Sequence, residues 1–206
     1  MTAQASTTAW IVATTPIFMA LLGWLILKEK LTWGQSAGIA LATLGVLLVV
    51  SNGELKSIFS ANFGTPGDYL IMVSAPNWAI FSALSRRGLK THPAARMMFY
   101  VMTFGWLFSS IAFFAGGNWN EISKLSTDGW AGIIFLGIFC SGLAYIAWYD
   151  GLQKIATSQV GAFLYLEPLV AVIVAAAILA EPITWVSLVG GAVILLGVYL
   201  VNRQAT

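Results

Sequence analysis

The sequence predicts an all-α integral membrane protein with seven transmembrane helices. Hydrophobic residues make up 59% of its 206 residues, whereas charged residues make up only 9%. A soluble globular domain carries about 25% charged residues, so this chain has too few to cover a water-facing surface. Seven apolar segments follow one another, and an internal repeat relates the first two to the last two. These observations predict inverted-topology five-helix repeats, of which the first is truncated.

Each predicted span can cross a bilayer as a helix, because about 20 apolar residues cover roughly 30 Å of hydrocarbon. The third segment is the weakest, since Pro76 and Asn77 interrupt it. Proline and polar residues persist at membrane depth where neighbouring helices or a cavity satisfy the freed backbone groups. The predicted spans are residues 8–27, 33–50, 69–84, 97–115, 130–149, 159–180 and 183–201.

The internal repeat has an offset of 152 residues and needs no gap, since Pro168 stands 152 residues after Pro16. Chance would readily match Leu and Val in apolar segments, but not Pro, Glu, Thr, Trp and Gly together. The pattern therefore indicates a true duplication. The same offset carries Glu181 onto Glu29, Thr184 onto Thr32, Trp185 onto Trp33, Gly190 onto Gly38 and Gly197 onto Gly45.

The basic residues predict the orientation in the membrane. Seven crossings place the loops alternately on two sides, and one side receives eight of the ten Lys and Arg residues. The positive-inside bias makes this side, and with it the C-terminus, cytoplasmic. The basic side carries Lys28, Lys30, Arg86, Arg87, Lys90, Arg96, Lys154 and Arg203, and the other side carries Lys56 and Lys124.

The two copies of the repeat lie five crossings apart, so the second is expected to be inverted relative to the first. Inverted repeats are typical of secondary transporters, which bind substrate between them. Three predicted helices precede the second copy, and a symmetric protein would need three more before the first. We expect these to lie upstream in a longer gene, or a partner to supply them. The predicted domains are the last two helices of a first repeat (1–53), a linker (54–68) and a complete second repeat (69–206).

Several motifs resemble those of the EamA-type permeases of the drug/metabolite transporter superfamily. They are Glu-Lys-Leu-Thr-Trp at 29–33, Glu-Pro-Ile-Thr-Trp at 181–185, Gly-Val at 45–46 and 197–198, Asn-Trp-Ala at 77–79, Ser-Arg-Arg at 85–87 and Leu-Glu-Pro-Leu at 166–169. The resemblance covers the chain as family helices four to ten. It implies two inverted five-helix repeats with cytoplasmic termini. It also implies a central cavity, lined here by the first, third, fifth and sixth predicted helices.

Glu167 is the acidic residue that lies well inside a predicted span. Inserting an acidic side chain near mid-helix costs about 2.5–3.5 kcal/mol, so its presence suggests a function. The functional interpretation is binding of substrate or of a proton. The structural alternative is a hydrogen bond to a neighbouring helix beside a kink at Pro168. The first copy has Thr15 at the matching position, so the acid does not belong to the shared scaffold.

The other substrate-binding candidates are polar and aromatic residues within the spans. Trp and Tyr near helix ends favour the membrane interface, which is the preferred interpretation for Trp130, Trp148, Tyr149 and Trp185. Deeper aromatic residues can contact substrate, lipid or other helices. The complete candidate set is Trp10, Thr14, Asn77, Trp78, Tyr145, Gln159, Phe163, Tyr165 and Glu167.

Two repeated features are assigned to the scaffold. Glu29 and Glu181 each precede a threonine by three residues, and each is expected to cap the helix that follows. Small residues one helical turn apart let membrane helices approach closely. Such small residues stand at positions 34, 38 and 42 of the second helix and at positions 187 and 191 of the seventh. We therefore expect these two helices to pack against each other or in a homodimer.

The sequence thus predicts a secondary transporter of the bacterial inner membrane that exports or exchanges small metabolites such as amino acids. The alternatives are a multidrug or nucleotide-sugar carrier and a seven-helix receptor or scaffold, of which the latter does not predict an inverted duplication. No Walker, HExxH, Rossmann or nucleophile-elbow pattern occurs, so neither enzyme activity nor a cofactor is predicted. One Cys and one His do not suggest a metal site, and a net charge of +2 does not suggest a nucleic-acid partner.

Overall fold

The computed structural model describes residues 5–53 and 66–203, except for the side chains of 5–7, 10, 68 and 118–120. The predicted linker of residues 54–68 lies outside this description up to residue 65. Every regular element within the described ranges is helical. The chain divides into a first unit, Met1–Leu84 with Ile155–Thr206, and a second unit, Ser85–Lys154.

The helices of the described ranges are as follows, in chain order. They are α1 (Ala5–Val12), α2 (Thr15–Leu27), α3 (Trp33–Val50), α4 (Pro66–Leu89), α5 (Ala94–Ala115), a 3₁₀ helix (Asn118–Lys124), α6 (Thr127–Phe135), a π-helical segment (Leu136–Leu143), α7 (Ala144–Lys154), α8 (Thr157–Ala162), a second 3₁₀ helix (Phe163–Leu166), α9 (Glu167–Leu179) and α10 (Trp185–Arg203).

Five continuous helical stretches are long and apolar enough to cross a membrane, and they match five of the seven predicted spans. They are Trp33–Val50, Ala94–Ala115, Thr127–Lys154, Thr157–Leu179 and Trp185–Arg203. The predicted first span of residues 8–27 consists of two helices, because the chain turns at Ala13 and Thr14 between α1 and α2. Pro16 explains the turn, since a proline has no N–H to donate to the carbonyl four residues before it.

The predicted interruption of the third span at Pro76 and Asn77 is wrong. Helix α4 runs without a break from Pro66 to Leu89, with Pro76 inside it. A single proline removes one backbone hydrogen bond and can bend a helix without ending it. Pro76 therefore differs from Pro16 in its local effect.

Helices α3 and α10 form the core of the first unit through glycines. A Cβ atom at Gly38 would lie 2.7 Å from the carbonyl oxygen of Gly197, and one at Gly45 would lie 2.8 Å from that of Gly190. Only a hydrogen atom fits at such distances, which lets the two backbones touch. The predicted packing of these helices against each other is confirmed, through these four glycines. A homodimer through the same helices stays a prediction.

The two repeat-related hairpins share an uncommon backbone conformation. Lys28 ends α2 with a φ angle of 55°, and Ala180 ends α9 with a φ angle of 54°. Left-handed residues other than glycine are uncommon, although they do occur after a helix C-terminus. Lys28 and Ala180 stand 152 residues apart, so the similarity of the two copies extends to the backbone of their hairpins.

Threonines cap the helices that follow these hairpins. The Thr32 hydroxyl accepts a hydrogen bond from the Gln35 N–H at 3.3 Å, and the Gln35 side chain accepts one from the Thr32 N–H at 3.0 Å. The Thr184 hydroxyl accepts from the Ser187 N–H at 3.1 Å. The prediction that Glu29 and Glu181 cap these helices is therefore wrong. The threonines stand at the N-cap position, from which a side-chain oxygen reaches the third N–H.

In the second unit, α6, the π-helical segment and α7 form one apolar helical stretch of 28 residues. The wide π turn in its middle was not predicted, and such turns often lie at functional sites. Tyr149 of α7 is fully buried, so its assignment to the membrane interface is wrong. At the end of α7, the Arg86 guanidinium donates a hydrogen bond to the carbonyl of Leu152.

Candidate functional site

A cavity of about 340 Å³ lies in the first unit. Sites for small molecules measure roughly 300–1,000 Å³ and combine an apolar lining with a few polar groups. This lining is aliphatic except at Tyr165 and Glu167. It consists of Ala9, Val12, Ala13, Pro16, Val46, Val49, Val50, Leu164, Tyr165, Glu167, Pro168, Ala171 and Val172.

Two repeat-related prolines place helix starts at this cavity. Pro16 lies in the first turn of α2, and Pro168 lies in the first turn of α9. In each copy the helical geometry changes just before the proline. The change is a turn at 13–14 in the first copy and the 3₁₀ helix Phe163–Leu166 in the second. The reason is common to both, because neither proline can donate a hydrogen bond to the preceding turn.

Glu167 is the one charged residue of the described lining. It begins α9, where a negative charge interacts favourably with the helix dipole. Its carboxylate has no hydrogen bond to another residue in the part of the chain that the structure describes. The group is exposed and can therefore accept a hydrogen bond from a ligand or take up a proton.

Tyr165 contributes its ring to the wall of the cavity, while its hydroxyl group is engaged elsewhere. The Tyr165 and Thr43 hydroxyl oxygens lie 2.7 Å apart. Thr43 donates its own hydrogen to the carbonyl of Ile39 at 2.8 Å, so Tyr165 is the donor of the bond between them. The tyrosine is 1% exposed. It therefore fixes the shape of the wall and does not present a polar group to a ligand.

Several other candidates of the first unit lie outside the lining. The Thr14 hydroxyl donates to the carbonyl of Ile11 at 2.6 Å, within the turn between α1 and α2. Gln159 is buried, and its side-chain oxygen accepts from the N–H of Ala156 at 3.1 Å at the start of α8. Phe163 is exposed. The two polar candidates thus satisfy backbone groups at helix ends.

The remaining candidates lie on other helices. Asn77 of α4 is exposed, and Trp78 packs on Phe81 with ring centroids 5.4 Å apart. Tyr145 belongs to α7 in the second unit, and the side chain of Trp10 lies outside the description. Of the nine candidates, the described part of the cavity brings together Tyr165 and Glu167.

The aliphatic wall of the cavity was not predicted from the sequence. Val46 and Val49 on α3, like Ala171 and Val172 on α9, resemble every other apolar residue of a membrane helix. The signal that could have found the site was the repeat, because Pro16 and Pro168 are equivalent positions and both line it. Within the described residues, no group of three or more His, Cys, Asp or Glu side chains could hold a metal ion.

Known proteins resemble this chain over nearly its whole length. An uncharacterized transporter, YyaM, of Bacillus subtilis is 30% identical over 190 residues, which are 92% of this chain and 62% of that protein. A "probable terminal-alkyne amino-acid exporter" of Streptantibioticus cattleyicolor is 27% identical and covers 97% of this chain, with 65% of its own length matched. A biotin transporter of Escherichia coli is 26% identical over 92% of this chain and 62% of its own length.

The fold also has a match among solved structures. A crystal structure superimposes with a TM-score of 0.80 at 16% sequence identity, over 98% of this chain and 69% of the other. The chain spans 62–65% of the length of the three relatives named above. The model of the EamA-like transporter family matches residues 2–51 and 65–203. With nearly all of its residues matched, this chain belongs to the EamA-like transporter family.

Proposed function

We propose that this chain carries the binding site of a secondary transporter that moves a small metabolite, such as an amino acid, across the bacterial inner membrane. The observation that carries the proposal is the cavity in which two repeat-related helix starts meet beside Glu167. Transporters with inverted repeats typically bind substrate between the repeats, where discontinuous helices begin. Here the substrate's ammonium group pairs with the Glu167 carboxylate, and its side chain contacts the aliphatic wall.

The glycine contacts between α3 and α10 support an arrangement of seven spans in inverted repeats. Gly38 approaches Gly197, and Gly45 approaches Gly190. The offset of 152 residues carries Gly38 onto Gly190 and Gly45 onto Gly197. The repeat therefore maps the contact between Gly38 and Gly197 onto the contact between Gly190 and Gly45. Such an exchange is expected of a two-fold axis between two copies. In our proposal, residues 1–53 end a first repeat, residues 69–206 form the second, and transport proceeds by alternating access.

An export assay tests the transport proposal. The natural gene is expressed in bacteria fed with dipeptides, which raise the cytoplasmic amino-acid pool, and the amino acids released into the medium are measured against an empty-vector strain. The wild type and Glu181→Gln are expected to release more than the vector strain, and Glu167→Gln is expected to release no more. Both glutamates lie in the second repeat, but only Glu167 lines the cavity.

Each possible result of this assay has a clear meaning. If the wild type releases no more than the vector strain for any amino acid, amino-acid export is refuted. If Glu167→Gln exports as well as the wild type, the assigned role of the carboxylate is refuted.

A second experiment tests the orientation. The eight basic residues on one predicted side predict that the C-terminus lies in the cytoplasm. A fluorescent reporter fused after Arg203 is expected to fold and fluoresce, and a periplasmic phosphatase fused at Gly117 is expected to be active. The reverse pattern would refute the orientation.

A further inference from the structure

The carboxylate of Glu29 joins two parts of the first unit that are far apart in sequence. Its oxygens accept hydrogen bonds from the backbone N–H of Thr157 at 2.9 and 3.2 Å and from the Thr157 hydroxyl at 3.2 Å. Thr157 begins α8 and is fully buried. Hydrogen bonds to an ionised acceptor are roughly twice as strong as neutral ones, and a helix start favours a negative charge. The hairpin after α2 is therefore held firmly to the start of α8.

A glycine makes room for this contact. A Cβ atom at Gly23 would lie 2.7 Å from the Glu29 carboxylate and 3.4 Å from the Thr157 Cβ. Further along the same pair of helices, a Cβ at Gly161 would lie 3.0 Å from the Cβ of Met19, which is itself fully buried. Helices α2 and α8 thus pack closely from the Glu29 contact inward.

Within the described residues, the second copy of the repeat shows no equivalent contact. The counterpart of Glu29 is Glu181, which is exposed and whose carboxylate has no hydrogen bond to another residue within the described ranges. The counterpart of Gly23 is Ala175, which carries a Cβ atom where Gly23 has none. Beside Glu181 lies a hollow of about 330 Å³, which also borders Asn52, Thr184 and Ser187.

This asymmetry points to a gate. A contact needed only to hold the fold would be expected in both copies, because the copies share the hairpin backbone. In an alternating-access cycle one side must be closed while the other is open. On the side of Glu29 the carboxylate joins the hairpin to α8, whereas on the side of Glu181 there is a hollow.

We propose that Glu29 is a gating residue, whose bond to Thr157 closes the side that the basic residues predict to be cytoplasmic and must break for this side to open. This inference rests on the alternating access proposed above. Glu29 does not line the cavity, so it acts by positioning α8, which leads through the 3₁₀ helix to Tyr165 and Glu167. Loss of the bond then favours the state that is open to the cytoplasm.

Cysteine accessibility tests the gate without any substrate. The native Cys140 is exposed and is first replaced by Ser. Met19→Cys then places a reporter under the α2–α8 contact, and its reaction with a membrane-impermeant maleimide is timed in inside-out vesicles and in intact cells. Glu29→Gln is expected to speed labelling from the cytoplasmic side by about tenfold, because it removes one charge-assisted hydrogen bond. Glu181→Gln is the matched control and is expected to leave the rate unchanged.

The outcomes separate a gate from a structural role. Faster labelling from the cytoplasmic side alone supports the gate. An unchanged rate in Glu29→Gln, an equal rise in Glu181→Gln, or an equal rise from both sides overturns it. If Glu29→Gln does not accumulate in the membrane, Thr157→Ala replaces it, because it removes the hydroxyl bond and keeps the N–H bond, and a smaller rise on the same side is expected.

The export assay and the accessibility assay test the transport proposal and the gate independently. If no amino acid is exported but the accessibility changes as expected, the gate stands and the assigned substrate is wrong. If export is found while accessibility does not respond to Glu29→Gln, the transport proposal stands and the gate is wrong.

Discussion

The hydroxyl group of Tyr165 donates a hydrogen bond of 2.7 Å to the hydroxyl group of Thr43 and so ties the cavity wall to α3. The two residues are 122 positions apart and belong to opposite ends of the chain. Hydrogen bonds between membrane helices contribute on average about 0.6 kcal/mol and at most about 1.7 kcal/mol. This bond is buried, because Tyr165 is 1% exposed.

Tyr165→Phe and Thr43→Val are each expected to lower the free energy of unfolding by roughly 0.6–1.7 kcal/mol, because each removes the same bond. The double variant should be less destabilised than the sum of the two single variants, since the second substitution has no bond left to remove. Unfolding of the purified protein in mixed detergent micelles measures all three. Strictly additive effects would show that the two hydroxyl groups do not interact.

Gly197→Ala is expected to disrupt the contact between α3 and α10. Its Cβ atom would lie 2.5 Å from the backbone nitrogen of Ala42 and 2.6 Å from the carbonyl oxygen of Gly38, and backbone atoms cannot rotate away. Overpacking of this kind destabilises by about 1–3 kcal/mol. The loss should appear as a lower melting temperature in detergent.

Gly105→Ala is the matched control for this substitution. Gly105 lies within α5, and its Cβ would meet no atom within 4 Å. Alanine has a higher helix propensity than glycine by up to about 1 kcal/mol, so this variant should be as stable as the wild type or slightly more stable. A control variant as unstable as Gly197→Ala would contradict the steric explanation.

Ala171→Phe is expected to obstruct the proposed binding cavity. Ala171 lines it beside Pro168, and a phenyl group there would narrow a cavity of about 340 Å³. Release of amino acids in the dipeptide assay should fall to the level of the empty vector, while the amount of protein in the membrane stays the same. Ala177→Phe lies on the same helix, is also exposed and does not line the cavity, so it should retain export. Equal export by both variants would place the substrate elsewhere.

Arg86→Ala is expected to destabilise the second unit. The Arg86 guanidinium donates to the carbonyl of Leu152 near the C-terminal end of α7, where the last carbonyl groups have no partner within the helix. A hydrogen bond to a charged group contributes roughly 1.5–3 kcal/mol. The neighbouring Arg87 is exposed, and Arg87→Ala should change the melting temperature little. Hydrogen exchange at the end of α7 should accelerate in Arg86→Ala alone, and equal protection in both variants would contradict this role.

The repeat and the composition predicted much of the fold because both depend on local physical chemistry. A run of apolar residues has to satisfy its backbone within a helix in a membrane, and this requirement located the five spans that the structure also has. The packing of α3 against α10 was predictable for a similar reason, since small residues at helical spacing mark a contact face. Of the four contacting glycines, Gly38 is among the small residues that predicted this packing. The break before Pro16 and the unbroken helix through Pro76 were not predictable, because the effect of a proline depends on what surrounds it.

The candidate site was predicted in part. Glu167 stood out because a charge inside a span is costly, and the structure places it in the cavity lining with Tyr165. Thr14 and Gln159 were also predicted to bind substrate because they are polar, yet their side chains form hydrogen bonds with backbone groups at helix ends. A sequence shows that a polar group must be satisfied, but it does not show whether the backbone or a ligand satisfies it.

The membrane class, the duplication and the acidic residue in the sixth span are properties of the sequence, because periodicity, composition and position along the chain carry them. The partner of Glu29 was decided by the tertiary structure. Local spacing suggested the helix that begins three residues later, but Thr32 already occupies that cap, and the carboxylate bonds to a helix start 128 residues away. A hydrogen bond between residues three or four positions apart is fixed by the geometry of a single helix. A bond between residues 128 positions apart forms only once the helices have packed.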